Sequence, residues 1–202
     1  MQMVVEKIDL KSLFRPVTAE FYVPCANAKG WSDLNMRAGM MRRFQHWEAH
    51  GKRLVLLYCG DFDPAGLRIS DFLISNMADL EKAVGWNPAN VHIDRFGLNR
   101  SFIDQHGLTW IDNLITGSGG DLADPSHKDH ALPYVQDYIK AHGARKVEAN
   151  ALVVRPAAGR DLCRRAIRRY VDLGGAAEFH QATRHERQAV AAEMARLMRE
   201  HE

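Results

Sequence analysis

Three acidic residues stand where short apolar runs end. Glu6 directly follows Met3-Val4-Val5, and Asp61 and Asp63 follow the six-residue run at 54–59, with Gly60 and Gly66 beside them. The alternation Asp61-Phe62-Asp63 can aim both carboxylates outward while Phe62 turns back to pack. Three carboxylates that converge at one edge repel one another unless a cation neutralises them. Hard oxygen donors that leave room for bound water suit Mg²⁺, with Mn²⁺ as a substitute, and such an ion commonly bridges protein carboxylates to phosphate. Other roles stay open for each residue. Asp63 precedes Pro64 and makes a good helix cap, while Glu6 is equally a solvated charge or, at a metal site, a general base.

The elements around these residues predict an α/β domain with a Rossmann-like sheet of about four mainly parallel strands, flanked by helices. Strands are expected at 3–5, 21–23, 54–59 and 91–96. The run at 54–59 is the clearest, being apolar throughout, as when both faces are covered. Helices are expected at 7–14, at 32–50 with Ser32 as cap and Gly51 as stop, and at 64–84 with Pro64 in its first turn. In open sheets of this kind, ligands bind outside the carboxyl ends of the strands, where Glu6, Asp61 and Asp63 fall. Between 97 and 133 the pattern weakens, and Gly117-Ser118-Gly119-Gly120 with Asp124-Pro125 marks a surface loop or insertion. His127 and His130, beside Asp124 and Asp129, read as part of a polar loop, with a second metal site as the alternative. Helices are expected at 134–142, 145–153, 159–173 and 185–202, with Gly174-Gly175 separating the last two. These patterns divide the chain into an α/β domain over 1–153 and a helical extension packed on it over 154–202.

With 46% apolar and 26% charged residues among 202, the composition is that of an ordinary globular protein. No apolar run approaches the ~20 residues of a membrane span, and no basic-then-apolar leader opens the chain. Cys25, Cys59 and Cys163 are isolated and odd in number, which suits reduced thiols in a cytoplasmic protein. A net charge of +2 advertises no general polyanion affinity, so a nucleic-acid surface requires local clustering. The best cluster is on the helix near 159–170, where Arg160, Arg164 and Arg168 recur at helical spacing, flanked by Arg165 and Arg169. A solvated face paired with acids is the alternative there. Arg37, Arg42 and Arg43 form a weaker cluster. The last helix mixes both charges and carries Val190, Met194, Leu197 and Met198 as an apolar stripe, suited to packing or to a homodimer.

Four segments carry a family resemblance: Val4-Val5-Glu6-Lys7 through Phe14; Ala28-Lys29-Gly30-Trp31-Ser32-Asp33-Leu34; Tyr58-Cys59-Gly60-Asp61-Phe62-Asp63-Pro64-Ala65-Gly66-Leu67-Arg68-Ile69; and Lys146-Val147-Glu148-Ala149-Asn150-Ala151-Leu152. Together they resemble the toprim domain of topoisomerases, bacterial primases and several nucleases, most closely that of the type IIB topoisomerase A subunit and its meiotic double-strand-break relatives. The third segment is the most specific, and the four span roughly 3–152. The resemblance implies Mg²⁺ on Glu6, Asp61 and Asp63 and an action on nucleic-acid phosphates, DNA above all. It also draws attention to Lys7, Lys29 and Gly30 as phosphate contacts, and to Lys146 and Glu148 on what is expected to be a helix.

Two departures qualify it. The topoisomerase relatives bear their attacking tyrosine in a region before the toprim domain, whereas Tyr22, Tyr58, Tyr134, Tyr138 and Tyr170 all lie within or after the similar region. This chain by itself is therefore expected to form no phosphotyrosyl intermediate. Pro24-Cys25-Ala26-Asn27 departs from the topoisomerase pattern and resembles stand-alone toprim nucleases of phage and bacterial defence. The expected functions are thus a metal-dependent nuclease or topoisomerase-like enzyme, or a metal- and DNA-binding module that needs a partner ATPase or a separate DNA-binding domain to cut. A small-molecule phosphatase ranks lower, because Ala65 stands where such enzymes carry Thr or Val.

Overall fold

The structure, a computed structural model, describes residues 1–28 and 33–200. Four strands, β1 (Gln2–Val5), β2 (Cys25–Asn27), β3 (Val55–Cys59) and β4 (His92–Gly97), form one sheet in the order β2-β1-β3-β4. All three pairings are parallel, with Val5 opposite both Asn27 and Cys59. From β1 the chain steps to one side of the sheet for β2, then returns to the other side for β3 and β4. The topological switch therefore lies between β1 and β3, where a doubly wound sheet opens a crevice at its carboxyl edge.

Both central strands are buried along their whole length. Successive side chains point to opposite faces, so each strand serves two cores. On one face Val4, Leu56 and Tyr58 pack with Met40, Met41 and Phe44 of α2 (Leu34–Ala49) and with Leu73, Met77 and Trp86. On the other face lie Met3, Val5, Leu57 and Cys59, with the buried Leu10, Phe14 and Val17 of α1 (Ile8–Glu20). There Phe14 meets Phe96 at 6.0 Å between ring centroids.

Several sequence expectations shift. The second strand is at Cys25–Asn27, not 21–23, because α1 runs on through Pro16 to Glu20. Phe21 and Tyr22 close that helix, Tyr22 with φ 53°, and the Val23 N–H donates to the Thr18 carbonyl. Asp33 caps α2 through Asn35 N–H, whereas the expected cap Ser32 lies outside the described residues. The single helix expected over 64–84 is three pieces: α3 (Pro64–Leu67), α4 (Ile69–Ala78) and α5 (Glu81–Val84). Beyond β4 come α6 (Arg100–His106) and α7 (Pro133–His142). The helix expected at 145–153 is instead an extended stretch that pairs Lys146 with Ile111 and Val147 with Phe62, followed by a short 3₁₀ turn at Ala149–Leu152.

The chain divides into two compact units, Met1–Arg164 and Arg165–Glu202. The first extends past the expected boundary at 153 because α8 (Pro156–Arg168) packs its early residues inward. A Cβ on Gly97 would lie 3.0 Å from Leu162, and one on Gly159 would lie 2.9 Å from Leu13. In the second unit α9 (Leu173–Glu200) takes in the glycine pair expected to separate it from the helix before. The Asp172 carboxylate accepts the N–H groups of Gly174 and Gly175, so the glycines begin a capped helix. Among the described residues, no helix is long and apolar enough to cross a membrane.

Candidate functional site

The end of β1 and the end of β3 are adjacent, and the backbone joins them: Glu6 N–H donates to the Cys59 carbonyl at 2.9 Å. Glu6 Oε2 in turn accepts the Asp61 N–H at 2.7 Å and the Tyr58 hydroxyl at 3.3 Å. Asp61 Oδ1 accepts the Ala149 N–H at 2.7 Å, and Asp63 Oδ1 accepts the Gly66 N–H at 2.5 Å as the N-cap of α3. Each of the three carboxylates thus has one oxygen fixed by a backbone N–H, while the second oxygen of Asp61 meets the Lys7 ammonium. Outer contacts of this kind orient metal-binding carboxylates.

Two glycines make this approach possible. A Cβ on Gly60 would lie 2.4 Å from Glu6 Oε2, and one on Gly66 would lie 2.3 Å from the Asp61 carbonyl oxygen. Phe62 anchors the loop between the two aspartates. It is 3% exposed, exchanges both backbone hydrogen bonds with Val147, and is ringed by Trp110, Tyr138 and His142. The Tyr138 hydroxyl also donates to the Phe62 carbonyl.

Arg95 completes the support from β4. Its guanidinium donates to the carbonyls of Gly66 (2.8 Å), Leu98 (2.5 Å) and Asp61 (2.7 Å). Sequence reasoning missed this residue, as it did Tyr58 and Tyr138. The one available signal for Arg95 was a basic residue inside an expected strand, next to Asp94.

Lys7 lies within the acidic group, its Nζ 2.9 Å from Asp61 Oδ2 and 3.8 Å from Glu6 Oε1. Burial pushes the Glu6 carboxyl above its ordinary range and the Asp61 charge pushes it further, against the Asp61 N–H and Lys7. Asp63 is likewise raised, by burial first and by Asp61, against the Gly66 N–H and Lys146. Burial opposes the charged form of Lys7, yet its hydrogen bond to Asp61 and the surrounding carboxylates hold its pKa above the usual value.

A cleft of about 490 Å³ opens over this group. Its lining includes Glu6, Lys7, Asp61, Asp63, Lys146 and Glu148 together with Leu114, Ile115, Thr116, Gly117 and Leu122. Lys146 and Glu148, expected on different sides of a helix, share one side of an extended segment as a pair 3.6 Å apart. The lining offers carboxylate oxygens and neither imidazole nor thiolate, a donor set that fits Mg²⁺ or Mn²⁺ and does not fit Zn²⁺. Among the described residues, no group of three or more His, Cys, Asp or Glu side chains is placed to hold a metal ion. At this rim the cation between Glu6 and Asp61 is the Lys7 ammonium.

The other candidate residues fall elsewhere. Lys29 and Gly30 lie outside the described residues. Arg164 pairs with Glu20 at 2.8 Å and Arg160 donates to the Leu13 carbonyl, so the expected basic edge of α8 is partly engaged in holding α1. Arg168 is exposed and belongs to the second unit. In the weaker cluster, Arg37 is buried and donates to the Asn76 carbonyl, and Arg43 donates to Gln2 Oε1, both structural roles. His127 and His130 are held by local bonds, His127 Nδ1 accepting the Asp129 N–H and His130 Nδ1 lying 2.8 Å from the Leu122 carbonyl. In comparisons with known proteins, no family model, no curated protein and no solved structure matches this chain.

Proposed function

We propose that this chain performs metal-dependent phosphodiester chemistry on nucleic acid, with DNA as the expected substrate, from a toprim-like α/β domain. In this reading Glu6, Asp61 and Asp63 hold Mg²⁺ or Mn²⁺. The observation that carries it is the meeting of the β1 and β3 ends, where residues far apart in sequence share one cleft and the Asp61 N–H reaches Glu6 Oε2 at 2.7 Å. The position at the topological switch of a parallel sheet, the all-oxygen donor set and the four toprim-like segments support the same reading.

A bound Mg²⁺ would supply positive charge to a scissile phosphate and lower the pKa of an attacking water. The chain's own residues prepare that chemistry. The backbone N–H groups of Asp61, Ala149 and Gly66 orient the carboxylates. As the alternative to holding the ion, Glu6 is suited, with its carboxyl raised by burial, to take a proton at Oε1 as general base. Lys7 and Lys146 place ammonium groups in the cleft, where phosphate oxygens would meet them.

The test is cleavage of DNA in Mg²⁺ or Mn²⁺ by the chain and by its Asp61→Ala/Asp63→Ala double variant. Loss of cutting in a folded double variant is expected, and undiminished cutting overturns the mechanism. A second reading is favoured by the Lys7 ammonium between Glu6 and Asp61. In it the chain binds metal and DNA but cuts only with a partner ATPase or a separate tyrosine-bearing domain. Metal-dependent DNA binding without cleavage by the purified chain selects that reading.

A further inference from the structure

We infer that α9 is one strand of a parallel, two-stranded coiled coil, and that its partner is the α9 of a second copy of this chain. The pairing is independent of the chemistry at the acidic cleft.

α9 is 28 residues long, yet over 177–199 none of its side chains is buried. A helix in water draws most of its stability from packing an apolar face, and here that face is uncovered. Val190, Met194, Leu197 and Met198 are 60%, 59%, 42% and 67% exposed. Thr183, Arg187, Val190, Met194 and Leu197 follow one another at intervals of four, three, four and three residues. That alternation keeps a single seam in line along a supercoiled pair. Thr183, Val190 and Leu197 form one set of layers, and Arg187 and Met194 form the other.

Charge selects the occupant and its direction. Glu186 and Glu193, seven residues apart, flank the seam on one side, and Arg184 flanks it on the other. Glu193 is bound along its own helix by Arg196 at 2.6 Å, whereas among the described residues Glu186 and Arg187 form no ion pair. In a parallel pair in register, the side chain in the Arg187 layer packs against position 186 of the other copy. Glu186 of each copy then meets Arg187 of the other, twice by symmetry. Antiparallel pairing instead brings the two glutamate-bearing flanks together and sets like charges side by side. The long Arg187 side chain can reach water at the edge of a two-stranded coil, whereas a larger bundle encloses it.

The experiment is sedimentation equilibrium of the full chain from about 1 to about 200 µM, where so short a seam is expected to give a dimer with Kd on the order of 10 µM. Val190→Glu/Leu197→Glu changes two exposed side chains and is expected to raise Kd by roughly tenfold or more, with circular dichroism checking that the chain stays folded. Glu186→Arg and Arg187→Glu are each expected to weaken self-association. An equimolar mixture of the two is expected to restore it, because the mixed pair regains both ion pairs. Under mild oxidation, Leu197→Cys chains are expected to form a covalent dimer that the parent does not form.

A parent chain that stays monomeric at about 200 µM overturns the inference. So does a dimer that survives Val190→Glu/Leu197→Glu unchanged, since its interface then lies elsewhere. A dimer that Leu197→Cys fails to cross-link overturns the parallel direction, as does a mixture that associates no better than its components.

Discussion

The Lys7 ammonium and the Asp61 carboxylate stand 2.9 Å apart, and the other oxygen of Asp61 is held by the Ala149 N–H. Both oxygens of this aspartate are thus engaged. Any divalent cation that uses Asp61 Oδ2 and Glu6 Oε1 competes with Lys7 for the same two atoms. Lys7→Met is therefore expected to tighten Mn²⁺ binding by roughly tenfold, about 1.4 kcal/mol, in a calorimetric titration. Weaker binding in a folded variant would mean that Lys7 orders the acids and does not compete for them.

The two glycines at the site predict different failures. The clash at Gly66 is with the backbone oxygen of Asp61, which cannot turn away, so Gly66→Ala is expected to cost about 1–3 kcal/mol of folding stability. The clash at Gly60 involves the end of the Glu6 side chain and the Tyr58 ring. Gly60→Ala should accordingly displace Glu6 and weaken metal binding more than its stability loss explains. Urea unfolding alongside Mn²⁺ titration of both variants checks the contrast.

Arg95 serves three carbonyls from a largely enclosed position. Its removal leaves acceptors under the acidic loop without donors, and Arg95→Met is expected to destabilise the fold by roughly 3 kcal/mol. Arg95→Lys keeps the charge but not the fork of donors, so it should recover only part of the loss. Equal stability of the two variants, measured by chemical denaturation, would show that charge alone matters there.

Glu6 and Asp63 have folded-state pKa values raised above the ordinary 4.5 and 3.8. In the window that opens at those values, the folded chain binds more protons than the unfolded one. The contribution of these groups to stability is therefore full below the ordinary values and is lost as pH rises through the raised ones. Without divalent metal, this part of the stability should fall from acid toward neutral pH. Mg²⁺ requires the ionised forms, so its stabilising effect should grow over the same range. Melting curves with EDTA and with Mg²⁺ across that range test both signs, and a metal effect that shrinks with rising pH contradicts the assignment.

Much of this arrangement was legible in the sequence, for particular reasons. β3 is an uninterrupted apolar run and β1 is apolar after Gln2 because both of their faces are covered, and the acids immediately beyond them occupy the carboxyl edge. β2 was misplaced because its side chains are only partly buried, and the apolar residues just before it serve the end of α1. Arg95 and the bond from Lys146 Nζ to the Ile115 carbonyl were not legible. Their contacts run to main-chain carbonyls, and a carbonyl has the same chemistry under any side chain. The pairing of Phe62 with Val147 was hidden for a similar reason, since isolated bridges leave no alternating pattern.

The cysteine that ends β3 is fully buried, and that burial raises its thiol pKa far above the normal range; Cys163 is likewise enclosed and raised to about 12. Alkylating reagents attack the thiolate, which neither residue presents while the sheet is closed. The chain thus carries its own clock for rare openings. The rate at which iodoacetamide modifies Cys59 in the native protein counts how often the strand beneath the acids comes apart, and a ligand that clamps the cleft should slow that count.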